Sequence, residues 1–297
     1  MSPAFADHTE KLMTSSLLLG ITTFTYLLAT LCFVYIFVFK AYRVYSFAIA
    51  VTILALVVQT AGIGLRWYES YAMGIGHAPL TNMYESVVFF SWTIALLYLL
   101  MEWKFRTRIL GLFALPFAFL AMAYASFSTG ISKEIAPLVP ALQSNWLIAH
   151  VITCFVGYAA FTVAAGLGLM FLLKIHKSGG EKKGGSQQLL AAIPAPDLIE
   201  DLIYKSMLFG FIWLTAGIIT GAVWANSAWG TYWSWDPKET WSLITWFVYA
   251  ITLHSRYTRG WTGKPLAWMA ILGLFSVIFT YYGVNFFLSG LHSYGSG

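Results

Sequence analysis

Trp146-Leu-Ile-Ala-His150-Val-Ile-Thr-Cys154-Phe-Val-Gly-Tyr-Ala-Ala-Phe-Thr-Val-Ala-Ala-Gly-Leu-Gly-Leu-Met-Phe-Leu-Leu173 contains no Asp, Glu, Lys or Arg. A helix needs about 20 apolar residues to cross the hydrocarbon core, so this run reads as a bilayer span. Outward from it lie Ser16–Phe39, Ser46–Leu65, Met83–Met101 and Ile109–Phe127 on one side, and Ile203–Trp224, Trp241–His254 and Leu266–Leu288 on the other. Only helices and closed barrels satisfy the backbone in lipid, and long unalternating runs are helical. The expected fold is all-α: a polytopic membrane protein of about eight transmembrane helices, forming a single membrane domain over residues 1–297.

Composition agrees. Hydrophobic residues make up 59% and charged residues 10% of the chain, where a soluble domain carries about a quarter charged residues. The net charge of +5 invites a nucleic-acid reading only if position is ignored. Thirteen of the 17 Lys and Arg residues fall in alternate loops, from Lys40 and Arg43 to Arg259 and Lys264, and four (Lys11, Arg66, Lys133, Lys238) fall in the others. The positive-inside rule then puts both termini outside. Basic charge here is a topology signal, and no nucleic-acid partner is expected. The first run follows a polar start and is too long for a signal-peptide core. Cys32 and Cys154 sit in separate spans and form no CxxC, so they read as small buried hydrophobes rather than a disulfide or haem-attachment motif. The Gly- and Lys-rich stretch 176–201 reads as a mobile cytoplasmic loop.

The densest outer feature is Trp224-Ala-Asn-Ser-Ala-Trp229-Gly-Thr-Tyr232-Trp233-Ser-Trp235-Asp236-Pro237-Lys238-Glu239-Thr-Trp241. An interfacial aromatic belt would account for one or two tryptophans per helix end. Pro237 reads as a helix start capped by Asp236, which leaves the preceding tryptophans on a non-helical platform suited to a large planar ligand. Four of the six histidines lie in or at the ends of spans, where ionisable residues are rare and commonly functional. His150 and His292 share the depth of the Trp segment and flank it in sequence. Each alone could be a polar cap; together over an aromatic platform they read as axial ligands for haem iron. His254 lies thirteen residues after Trp241, about 20 Å deeper. Ligation, proton relay and packing all remain open for it, and no second histidine of this chain sits beside it. His77, in Gly74-Ile-Gly76-His77-Ala-Pro79-Leu-Thr81-Asn82-Met-Tyr84-Glu85, reads first as a loop fastener. Thr81 or Asn82 caps the next helix, with Glu85 the capping-box partner of Asn82.

Together these segments resemble the CcsA/ResC family of System II cytochrome c biogenesis, within the haem-handling superfamily marked by a tryptophan-rich WWD motif. The resemblance covers nearly the whole chain and is most specific at Trp229-Gly-Thr-Tyr-Trp233-Ser-Trp235-Asp236-Pro237-Lys-Glu-Thr-Trp241, with further family-like segments at Gly76–Glu85 and Asn285–Tyr294. It implies haem b as a transported substrate, external ligands at His150 and His292, and an intramembrane ligand at His254. Haem contacts would come from Trp229, Trp233, Trp235, Asp236, Trp241 and His77. It further implies a CcsB-type membrane partner supplying the missing inner ligand, an apocytochrome c with CxxCH, and a thiol-reducing protein. The setting would be a bacterial inner membrane or a plastid thylakoid equivalent. The chain would then be the membrane half of a cytochrome c synthase of the haem-lyase type. A haem-independent transporter or channel is the competing class, yet its polar path would have to be built from little beyond Gln59 and His254.

Overall fold

The computed structural model of the chain describes residues 14–178, 193–288 and 290, and among these it is helical with no strand. The helices are α1 Ser15–Phe39, α2 Tyr45–Ala72, α3 Met83–Phe105, α4 Gly111–Phe127, α5 Asn145–Ser178, α6 Pro196–Trp229, α7 Pro237–Arg259 and α8 Lys264–Ile278. A π turn at Phe279–Gly283 carries α8 into a last short turn, α9 Val284–Phe287. Each of the eight apolar runs is therefore a helix. Six are long and apolar enough to cross a membrane; α4 is apolar but has 17 residues, and α7 is long enough but more polar. The polarity of α7 is arranged inside out, with Glu239, Thr245, Thr252 and Ser255 buried and Ile244, Phe247 and Ile251 exposed. The exposed side of α1 is likewise apolar, including Phe24, Leu28, Leu31 and Val38. A lipid surround asks for apolar groups on the outside, where water would ask for charges.

Alternating helix directions give the bundle two ends. The basic end holds the α3–α4 and α7–α8 turns, and the aromatic end holds the α6–α7 turn. Helices α5 and α6 pack most extensively, because glycines remove side-chain bulk between them. A Cβ at Gly157 would stand 3.0 Å from the Gly210 carbonyl oxygen, and one at Gly217 would stand 2.6 Å from the Cys154 sulfur. At the basic end, Glu200 of α6 accepts hydrogen bonds from Arg256 (2.8 Å) and from the Gly263 amide (2.7 Å), tying α6 to the α7–α8 turn.

Two sequence readings change. The loop expected at 176–201 is helical at both edges, since α5 runs to Ser178 and α6 starts at Pro196. Proline at the first turn is compatible with a helix start because its missing N–H would have no partner there; residues 179–192 lie outside the described residues. The Trp-rich segment 224–241 is also not one loop. Trp224 and Trp229 belong to α6, which ends only at Gly230 with φ of 76°, and the non-helical part is Gly230–Asp236. Ala225-Asn-Ser-Ala228 contains no breaker, so the helix continues until a residue that tolerates the left-handed region.

Candidate functional site

The α6–α7 turn is held by its own carboxylates. The Asp236 side chain accepts from the Lys238 amide at 2.8 Å, and Glu239 reciprocates by accepting from the Asp236 amide at 3.2 Å, a complete capping box. Such a cap stabilises a helix start by about 1 kcal/mol. Glu239 also accepts from the Ser234 amide at 2.8 Å and from its hydroxyl at 3.2 Å, so one buried carboxylate shapes both helix and loop. Trp235 is left with φ of 59° and 68% exposure. A bulky residue in the left-handed region is strained, and such strain persists where the surroundings impose it.

Beneath this turn lies a cavity of about 140 Å³, lined among others by His150, Trp224, Trp233, Lys238, Tyr281 and Asn285. His150 is seated by the close approach of α5 and α6. Its Nδ1 lies 2.8 Å from the Gly217 carbonyl oxygen. A carbonyl only accepts, so Nδ1 carries the proton and the neutral ring has its lone pair on Nε2. The ring stacks on Trp224 at 6.0 Å between centroids and 18° between planes. Trp224 in turn meets Trp229 edge-on at 4.9 Å and donates from Nε1 to the Ala141 carbonyl at 2.8 Å. On the far wall Lys238 donates to Asn285 Oδ1 at 2.9 Å and lies over the Tyr281 ring. Tyr281 belongs to the π turn, and its hydroxyl meets Ser86 at 2.6 Å. Single π turns occur often at functional sites.

His292 lies outside the described residues. Gly290 does not, and it sits close over Asp236: a Cβ there would run into the Asp236 carboxylate and approach Pro237 Cδ to 3.0 Å.

The remaining sequence candidates separate. Trp233 lines the cavity and meets Trp235 edge-on at 5.7 Å. Trp241 packs on Phe279 at 4.2 Å and is not among the cavity-lining residues. His77 is buried, with Nδ1 3.0 Å from the Ala78 oxygen and Nε2 3.1 Å from the Ala136 oxygen, and it does not line the cavity. That is the loop-fastening arrangement. His254 lies on the exposed side of α7 near the basic end. Asn82 caps α3 as expected, accepting from the Glu85 amide at 2.9 Å, but the Glu85 carboxylate turns to the Thr81 amide (2.9 Å) instead of Asn82. The reason is Arg66, whose Nε pairs with Glu85 at 2.8 Å while its guanidinium donates to the Lys133 and Glu134 carbonyls. Both partners are buried. Arg66 thus fastens the segment between α4 and α5, and Lys238 lines the cavity, so these two cations do more than mark topology. The seating glycines Gly217 and Gly221 were also missed; their spacing on α6 was the available signal.

Residues 80–292 match the model of the cytochrome C assembly protein family. The cytochrome c biogenesis protein CcsA of Prochlorococcus marinus (strain MIT 9303) is 41% identical over 265 residues, covering 82% of each chain. That of Guillardia theta is 38% identical over 290 residues, covering 93% of this chain and 95% of the relative. Among solved structures, the cytochrome c heme lyase CcmF superposes with a TM-score of 0.65 at 16% identity, over 91% of this chain and 47% of CcmF, a likeness of fold. The chain belongs to the CcsA family of cytochrome c biogenesis proteins. It is a multi-pass membrane protein with a role in cytochrome c maturation.

Proposed function

We propose that the aromatic end holds haem b, carried as substrate, for covalent attachment to an apocytochrome c. The observation that carries this reading is the seat of His150: with Nδ1–H on the Gly217 carbonyl, the imidazole is locked in the tautomer that ligates through Nε2, beside a tryptophan-lined cavity. His292 would serve as the second ligand, and Gly290, two residues before it in sequence, sits over Asp236. Trp224 and Trp233, which line the cavity, and the exposed Trp235 would supply apolar area for the macrocycle, with Trp229 packed against Trp224. Lys238 offers a cation to a haem carboxylate. In attachment each CxxCH thiol adds across a vinyl double bond, sulfur to one carbon and hydrogen to the other, with no net oxidation. The thiols must be reduced beforehand by a separate thiol-reducing protein. The protein positions and shields, while the reactivity belongs to haem and thiol.

The purified protein should show Soret and α bands, and Trp235→Gly should test the platform. Glycine relieves a left-handed strain of roughly 1–2 kcal/mol, so the variant should insert and be no less stable. Bound haem should nonetheless fall about threefold or more, reflecting the loss of one stacking contact. A colourless wild-type protein, or a Trp235→Gly variant with full haem content, would remove the proposal. The haem-independent transporter finds little support: Gln59 is fully buried and spent on core contacts, accepting from Tyr26 at 2.7 Å and donating to the Val88 carbonyl at 3.0 Å.

His254 is assigned to haem entry at the basic end, taken as the cytoplasmic side. Exposure of a histidine on the apolar outer side of α7 is costly in lipid unless another protein covers it. Met207 is fully buried in the core and the Met101 sulfur accepts from Ser206, so neither methionine would serve as a second ligand. A CcsB-type partner would supply that ligand. Co-expression with the partner should then raise haem content, and His254→Ala should cancel the increment; equal loading in all four combinations would return His254 to a packing role.

A further inference from the structure

A second cavity, about 640 Å³, opens at the basic end between the start of α2 and the end of α3, far from the His150 site. Its walls are mostly apolar, with Ile49 and Ile53 from α2 and Leu96, Leu99, Leu100 and Trp103 from α3, and its rim carries Arg106 and Arg108. Tyr45 to Ile53 spans about 12 Å of helix axis, so the groove runs from a cationic rim well into hydrocarbon depth. The rim is built by the buried carboxylate of Glu102. It accepts from the Tyr45 hydroxyl at 2.6 Å, the Thr107 hydroxyl at 2.5 Å and the Arg108 amide at 2.7 Å. These bonds hold Arg106 and Arg108 at φ of 47° and 59°, both in the left-handed region. Nothing in helix termination requires arginine there; glycine would serve at lower conformational cost. Among the described residues neither guanidinium has a carboxylate partner within ion-pairing distance.

We propose that this groove is a binding site for an anionic glycerophospholipid, its phosphate on Arg106 and Arg108 and one acyl chain along Ile49, Ile53, Leu96 and Leu99. Guanidinium forks match phosphate oxygens in pairs, and cationic side chains at a membrane edge favour anionic headgroups. Haem is the poorer occupant, because no histidine, cysteine or methionine lines the groove. The site is independent of the haem-holding reading.

The test is native mass spectrometry of the full chain released from nanodiscs of equal phosphatidylglycerol and phosphatidylcholine. The wild type should retain phosphatidylglycerol in preference by about fivefold or more, given one or two well-placed arginines. Arg106→Gly/Arg108→Gly should abolish the preference without lowering the thermal midpoint, since glycine suits both backbone positions. Ile49→Trp, which fills the apolar wall and keeps the arginines, should also lose the lipid; added glycerol phosphate should not compete in the wild type. Equal retention of both lipids, an undiminished preference in the double glycine variant, displacement by glycerol phosphate alone, or a porphyrin adduct removed by these substitutions would each overturn the proposal.

Discussion

His150→Ala should lower cytochrome c maturation by at least about a hundredfold, and millimolar imidazole should partly restore it. Loss of groups that merely orient a metal ligand already costs ten- to a hundredfold, so loss of the ligand itself should cost no less. The vacated space lies between α5 and α6 beside Gly221, whose Cα carries nothing to fill it. Free imidazole can enter, give its N–H to the Gly217 carbonyl as His150 does at 2.8 Å, and offer its other nitrogen to iron. The measurement is covalent haem in a reporter cytochrome, read by its α band with and without imidazole. Normal maturation by the variant, or an equal response of the wild type to imidazole, would count against ligation by His150.

Gly221→Ala should separate function from stability. A Cβ at this position would stand 2.6 Å from His150 Nδ1 and 2.8 Å from Cε1. The imidazole must turn, losing the hydrogen bond that fixes its tautomer. Alanine is otherwise a better helix residue than glycine by about 1 kcal/mol, so the bundle should unfold at an unchanged or higher temperature. Haem affinity should fall about ten- to a hundredfold, the usual cost of losing a second-shell orienting contact. Titration of the purified variant with haem, beside its thermal midpoint, reads both quantities. A variant that is unstable and weakly binding would point to a packing defect; one that binds normally would show that the ring finds another seat.

Much of this architecture is legible in the sequence for physical reasons that differ from place to place. The apolar runs are strong signals because lipid leaves the backbone no alternative to the helix. Asp236-Pro237-Lys238-Glu239 fixes a helix start locally, so the cap was readable to the residue. The end of α6 was not, because Trp224 to Trp229 can be loop or helix and only Gly230 stops it. Glu85 was read as half of a capping box, but a local motif cannot announce Arg66, 19 residues away, which takes part of the carboxylate and turns the rest to Thr81. Lys238 and Arg66 enter the charge tally only as topology signals, since a tally does not see what each side chain touches. Gly217 and Gly221 matter only through what faces them on α5, and that is a tertiary fact. His150 was singled out by its rarity in a span, while the carbonyl that fixes its proton lies 67 residues on.

The π turn at Phe279–Gly283 has a consequence for comparing relatives of this chain. One additional residue is wound into that turn, so everything beyond it is rotated by roughly 100° relative to an unbroken α-helix. Asn285 faces Lys238 only in that rotated phase. A family member one residue shorter in this helix can therefore present the same helix tip by winding the turn as ordinary α. A one-residue gap placed at 279–283 would preserve the mouth of the cavity, whereas the same gap nearer Lys264 would swing Val277, Thr280 and Tyr281 out of the interior they now occupy.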